Sequence, residues 1–210
     1  MKILIIPTIR EIYKNQFEFC TDLKLLNFLK KVFRNSTLET YNLTKKNDYD
    51  LLVLAGGNNS IIKSKADKLR DKINNSFFSY SIKKNKAILG ICHGAHYLAK
   101  KNGFKIKKKN NHVGSHKVIF NINKIKFSKV VNSFHNETIE YKKINNVNIF
   151  GLSEDGTIES FHIKHKKILG IMWHPERYIK FKYFDLKLLR EFYATNSAIS
   201  WKRLQASKKI

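Results

Sequence analysis

Four short apolar runs govern what this chain can fold into. They are KILIIPTI at 2–9, YDLLVLA at 49–55, AILGI at 87–91 and ILGIM at 168–172. Each is too short for an ordinary helix, rich in branched side chains and bounded by polar or turn residues, the pattern of a strand buried on both faces. The first is expected to run through Pro7 to Ile9 as one strand. Helical stretches lie between the runs. Phe19, Leu23, Leu26, Leu29 and Phe33 recur at spacings of three and four and share one face of a helix. Asp67–Lys84 reads as a polar-faced helix, and another follows Cys92 to about Asn102. Thr37–Leu43 reads as a further strand. Strand and helix in alternation imply parallel strands joined by helical crossovers. The expected fold is α/β: a flavodoxin-like, doubly wound, mostly parallel sheet with helices on both faces. Sites in such sheets form beyond the carboxyl ends of the strands. Gly56-Gly57 and Cys92 both fall at such ends.

The second half changes character. From about Phe104 to Met172 the chain reads as short strands: HKVIFNI, KVVNSF, NVNIFGL, GTIESFHI and KKILGIMW, with Asp155-Gly156 and several Asn pairs as turns. Tyr183–Tyr193 reads as a closing helix. The 210 residues suffice for one hydrophobic core. A single domain over 1–199 is expected, with a basic tail at 200–210.

The two cysteines, Cys20 and Cys92, are too few for a disulfide framework and fit a reducing compartment. Cys20 lies in the first helical stretch and reads as a small core residue. The start of the chain lacks the long apolar segment and small-residue cleavage site of a leader. No stretch approaches the ~18 apolar residues of a membrane span. A cytoplasmic protein without a membrane partner is expected. The formal net charge of +25 would suit a polyanionic partner. The lysines are scattered, however, from Lys30 and Lys31 through Lys83 and Lys84 to Lys166 and Lys167. They do not interleave with aromatics as a single-strand-binding surface does, so no nucleic-acid partner is assigned.

Three segments carry chemistry. In Gly90-Ile91-Cys92-His93-Gly94, a cysteine sits between a buried strand and a helix with glycines two residues either side. A nucleophile on a tight strand-to-helix turn needs small neighbours there. The helix N-terminus favours a thiolate, and the His93 N–H would face an oxyanion. A buried structural cysteine beside packing glycines is the competing reading. In Trp173-His174-Pro175-Glu176, the histidine can move a proton to and from sulfur, and the glutamate can orient it. A structural histidine at a strand end is the competing reading. In Leu54-Ala55-Gly56-Gly57-Asn58, a glycine pair can turn a backbone N–H outward, from Gly57, or can be an ordinary turn.

In this order and spacing, the three segments resemble class I glutamine amidotransferase domains, and most of all the γ-glutamyl-γ-aminobutyrate hydrolase branch. The resemblance runs from Met1 to about Glu191. It is carried by Thr8-Ile9-Arg10, Gly56-Gly57, GICHGA, HVGSH at 112–116, VNSFHNETI at 131–139, EDGTIESF at 154–161 and GIMWHPER at 170–177. It implies Cys92 as nucleophile, His174 as base and acid, Glu176 as its orienter, and oxyanion donors at Gly57 and His93. It also implies a γ-glutamyl thioester and no cofactor. Gly56, Ser133 and His135 are implied as substrate-pocket residues. His96 stands where glutaminase domains carry a glutamine that holds the substrate, which points to an altered pocket and is compatible with a packed or a solvent-facing side chain. For Ser133 and His135 the competing reading is a solvent-facing strand edge.

The implied activity is hydrolysis of a small-molecule γ-glutamyl amide, releasing glutamate and an amine or phosphoramidate. The alternative is a glutaminase subunit that delivers ammonia to a synthase partner. A non-enzymatic nucleic-acid-binding module is the third reading, and the complete set of triad residues argues against it. His93/His96, His112/His116 and His162/His165 have ligand-like spacings, but none has a second cluster nearby in sequence, so no metal is expected.

Overall fold

A computed structural model of the protein describes residues 1–41, 48–58, 61, 64–109, 112–122 and 124–194. The basic tail at 200–210 and the Leu43 end of the expected second strand lie outside the described residues. In chain order the elements are β1 (Lys2–Ile6), β2 (Thr8–Tyr13), β3 (Gln16–Cys20), α1 (Leu23–Val32), β4 (Thr37–Thr40) and β5 (Leu51–Leu54). Then come α2 (Lys65–Lys83), β6 (Ala87–Ile91), α3 (His93–Lys101), β7 (Ile106–Lys108), β8 (Gly114–Ile122) and β9 (Ile125–Ser133). The remainder is β10 (Glu137–Ile139), β11 (Val147–Ser153), β12 (Ile158–Ile163), β13 (Ile168–Ile171), a 3₁₀ turn (Pro175–Arg177) and α4 (Tyr183–Ala194).

The main sheet runs β4-β1-β5-β6-β13-β12-β11-β8-β9. Its first five strands are parallel. From β13 onward neighbours are antiparallel. The four apolar runs become β1, β5, β6 and β13, and each is buried on both faces as read. Alternate residues serve different layers. Ile3, Ile5, Leu51, Val53, Leu89 and Ile171 pack with Leu25, Phe28 and Leu29 of α1 and Leu188 and Leu189 of α4. Leu4, Ile6, Leu52, Leu54 and Ile88 pack on the other face with Ile73 and Phe77 of α2 and Ala95 and Leu98 of α3. This is the expected doubly wound α/β fold. Among the described residues, no helix is long and apolar enough to cross a membrane.

Two expectations fail at one place. The first strand stops at Ile6 because Pro7 has no N–H to give to the ladder. The chain then forms a separate hairpin, β2–β3, turning at Asn15 with a φ of 64°. Phe19 therefore lies in a strand. The helix starts at Leu23, where the Asp22 side chain accepts the Lys24 N–H at 2.8 Å. Its buried face is Leu25, Phe28, Leu29 and Val32, while Leu23 is exposed. The three-and-four spacing from Phe19 spans an element boundary and was no helical face. Cys20, read as a core residue of that helix, lies in β3 and is partly exposed.

Candidate active site

The three adjacent strands β5, β6 and β13 end side by side. Leu54 pairs with Gly90, and Ile171 pairs with Ile91. Their carboxyl ends therefore deliver Gly56-Gly57, Cys92 and His174 to one place, although the third comes from the far end of the sequence. The Cys92 N–H continues the ladder by donating to the Ile171 carbonyl at 2.8 Å.

Cys92 caps α3 with φ 50° and ψ −104°, a conformation that L side chains rarely adopt. The glycines on either side permit this turn. A Cβ on Gly90 would lie 2.6 Å from the Gly94 carbonyl carbon, and one on Gly94 would strike the Leu54 carbonyl oxygen. The sulfur sits at the head of α3, and Cys92 acts electrostatically on the His174 imidazole. Cys92, His174 and Glu176 are all buried.

His174 is fixed from every side. Its Nδ1 lies 2.6 Å from Glu176 Oε1. A carboxylate only accepts, so Nδ1 carries the proton and Nε2 is left to face sulfur. The backbone of His174 is clamped by Asn132, whose Nδ2 donates to the His174 carbonyl while its Oδ1 accepts the His174 N–H, both at 2.8 Å. The Phe134 ring meets the imidazole edge-on at 5.3 Å. Gly56 lies under the imidazole, and a Cβ there would press on Cε1. Burial disfavours the charged imidazole, but the hydrogen bonds and charges of Cys92 and Glu176 outweigh it and raise its pKa to about 9.

The loop after β5 is pinned by a buried arginine. Arg70 of α2 donates to the carbonyls of Gly56 at 3.0 Å, Gly57 at 2.6 Å and Ala55 at 2.5 Å, and to Asn58 Oδ1 at 2.9 Å. Thr8 Oγ1 donates to the Gly56 carbonyl at 2.8 Å. Asn58 exchanges hydrogen bonds with the Ile9 backbone. With its carbonyls held this way, and Gly57 at a φ of 81°, the loop is a rigid platform beside Cys92. Burial pulls the Arg70 guanidinium down to about 9, opposed by Cys92, Asp67 and Asp71, so it stays charged at neutral pH.

The remaining pocket candidates cluster farther along. His96, one turn after Cys92, is buried and meets His135 edge-on at 5.9 Å. Burial lowers both to about 3, so they are neutral. Ser133 is fully buried. The solvent-facing readings of His96, Ser133 and His135 are thereby excluded. Among the described residues, no hydrogen bond or ring contact links Ser133 or His135 to the triad. Asn132 and Phe134 make those contacts instead. Arg70, Asn58 and Asn132 were missed in the sequence. An arginine in a polar helix carries no signal of burial, Asn58 reads as part of a glycine turn, and Asn132 reads as part of the strand KVVNSF with no role of its own.

The class I glutamine amidotransferase family model matches residues 15–194. This chain belongs to that family. A γ-glutamyl-CDP-amidate hydrolase of Campylobacter jejuni is 38% identical over 128 residues, covering 60% of this chain and 62% of that protein. The match thus spans less than two thirds of the relative's length. A glutamine-hydrolysing GMP synthase subunit of Picrophilus torridus is 28% identical over 139 residues, covering 61% of this chain and 68% of that protein. In fold, a proposed GMP synthase subunit from Thermoplasma acidophilum superposes with a TM-score of 0.71 at 18% identity, over 98% of both chains. A glutamine amidotransferase from Thermotoga maritima superposes at 0.63 with 18% identity, over 100% of this chain and 85% of that one. At these identities, the structural likeness speaks for the fold alone.

Proposed function

We propose that this class I glutamine amidotransferase-family protein is a cysteine-dependent γ-glutamyl amide hydrolase. The observation that carries the reading is the linked set Cys92–His174–Glu176, with the sulfur on a tight strand-to-helix turn and the imidazole oriented by a carboxylate at 2.6 Å. His174, held as the imidazolium at neutral pH, already carries the proton on Nε2, and Cys92 Sγ attacks the γ-carbonyl carbon. The oxyanion is received by the backbone N–H groups of Gly57 and His93. The imidazolium protonates the departing nitrogen as the C–N bond breaks, leaving a γ-glutamyl thioester. Water, deprotonated by His174, then hydrolyses the thioester, releasing glutamate, freeing Cys92 Sγ and restoring the imidazolium. Glu176 accepts from His174 Nδ1–H and holds the tautomer. Gly56 leaves room for the imidazole, and His96, Ser133 and His135 are assigned to the glutamyl pocket on the resemblance to the family.

The leaving group is proposed to be an amine or phosphoramidate. Support comes from the likeness to the Campylobacter jejuni hydrolase and from His96 standing where glutaminases hold their substrate with glutamine. The test is glutamate release from a panel of γ-glutamyl amides, including glutamine and nucleotide conjugates. Turnover of at least one conjugate by the isolated protein, abolished by Cys92→Ala, is expected. Failure on every conjugate, with glutamine turnover only on mixing with a synthase, would replace this reading by the glutaminase-subunit one that the likeness to the Picrophilus torridus GMP synthase protein favours.

A further inference from the structure

Three segments of the antiparallel half meet beside the pocket. His112 precedes β8, His135 follows β9 and Glu159 lies in β12. All three side chains are buried, and one donor atom from each lies within 4.8 Å of the others. We infer that His112, His135 and Glu159 form a binding site for a divalent transition-metal ion of the zinc class.

The hydrogen bonds around the cluster determine which atoms can ligate. His135 Nδ1 lies 2.8 Å from the Glu137 carbonyl oxygen, which only accepts, so Nδ1 carries the proton and Nε2 the lone pair. His112 Nε2 lies 3.2 Å from Asp155 Oδ2, again an acceptor, so Nε2 carries the proton and Nδ1 the lone pair. Those two lone-pair atoms, His135 Nε2 and His112 Nδ1, are buried without a hydrogen-bond partner, as is Glu159 Oε2. Three buried atoms without a hydrogen-bond partner in one place are costly unless a cation satisfies them.

The outer contacts fit as well. Imidazole ligands of zinc pass their second N–H to a carboxylate or backbone carbonyl, which fixes tautomer and ring orientation. His112 does the first, through Asp155, and His135 does the second. Asp155 is itself anchored by Lys109 Nζ at 2.6 Å. Two imidazoles and one carboxylate are a known three-protein-ligand zinc set that leaves a position open. Drawing the donors onto bonds of ~2.0–2.1 Å requires side-chain adjustment of about an ångström. His116 Nε2, 3.2 Å from Glu159 Oε1, is a neighbour able to hold the second carboxylate oxygen. The three ligands would tie the ends of β8 and β9 to β12, next to His96.

The test uses the full chain, stripped with a chelator and titrated with zinc or cobalt(II) against a chromophoric competitor. One equivalent is expected to bind. Glu159→Gln and His112→Ala should each weaken binding at least ~10-fold, as removal of ligand-shell groups does. Cys92→Ser should leave metal affinity unchanged, and the cobalt form should show tetrahedral ligand-field bands without thiolate charge transfer. Absence of stoichiometric binding would overturn the inference. So would binding lost in Cys92→Ser but retained in Glu159→Gln, because the metal would then sit on the catalytic sulfur. Glu159→Gln preserves volume, and the cobalt spectrum of the unaltered protein needs no variant, so misfolding of His112→Ala leaves the inference testable.

Discussion

The backbone at Cys92 makes a stability prediction of unusual sign. With φ 50° and ψ −104°, the residue lies in a region open to glycine and strained for anything with a Cβ. Such strain costs about 1–3 kcal/mol, and the ψ here argues for the upper end. Cys92→Ala and Cys92→Gly both remove the sulfur and its contact with His174, and both keep the backbone bonds from Cys92 N–H to Ile171 and from His96 N–H to Cys92. They differ only in the Cβ. At an unstrained site, alanine is favoured by about 0.5–1 kcal/mol through chain entropy, plus about 0.8 kcal/mol for one buried carbon. Set against about 3 kcal/mol of relieved strain, the balance favours glycine by roughly 1 kcal/mol. For a domain of this size that is a rise of about 2–4 °C in melting temperature for Cys92→Gly over Cys92→Ala. Urea and thermal unfolding of the two inactive variants measure it directly. If the alanine variant proves the more stable by about 1 kcal/mol, as at an ordinary helix end, the turn at Cys92 stores no strain.

Other outcomes follow from the same geometry. Glu176→Gln keeps an acceptor at Nδ1 but removes its charge, so the His174 midpoint in an NMR titration should fall below the value of about 9. Because that pKa is raised on folding, the imidazolium contributes stability that is full below about 6.5 and lost as pH rises through about 9; the variant should lose less across that window, and an unchanged midpoint would contradict the account. Asp185, buried and accepting from Trp173 Nε1 at 3.0 Å, has its pKa raised by burial to about 6 against that hydrogen bond. The folded state then binds the extra proton, so stability should fall between about pH 4 and 6, by an order of magnitude of 3 kcal/mol. Asp185→Asn should flatten that slope and be the more stable form at pH 7; a slope unchanged in the variant would refute it. Arg70→Lys cannot reach the three carbonyls and Asn58 together. It should lower kcat by about 10²-fold, the scale of a misplaced oxyanion donor, with little change in KM; a loss confined to KM would assign Arg70 to substrate binding instead.

Legibility followed the range of the interactions. The four apolar runs became β1, β5, β6 and β13 because a strand buried on both faces must be apolar at every position, and that is written in consecutive residues. The tight turn at Cys92 was legible for a similar reason: Gly90 and Gly94 are dictated by backbone closure two residues away. His174 and Glu176, two residues apart, announced themselves as a pair. The hairpin Thr8–Cys20 was not legible, because Pro7 as a ladder stop and Asp22 as a cap compete locally with a misleading three-and-four spacing. Nor could local pattern show that Arg70, one arginine among the many cations of a basic chain, is buried with its donors on the carbonyls beside Cys92. Nor did local pattern show that Asn132 of β9 holds the His174 backbone, or that Phe134, just beyond that strand, meets the imidazole. The gathering of His112, His135 and Glu159 depends on which strands of the antiparallel half become neighbours. Residue type and spacing thus determined the strands, the turn and the triad, whose constraints act over a few residues. Sheet order and burial decided what supports the triad and what lies beside it, since those contacts join residues that only the packed chain brings together.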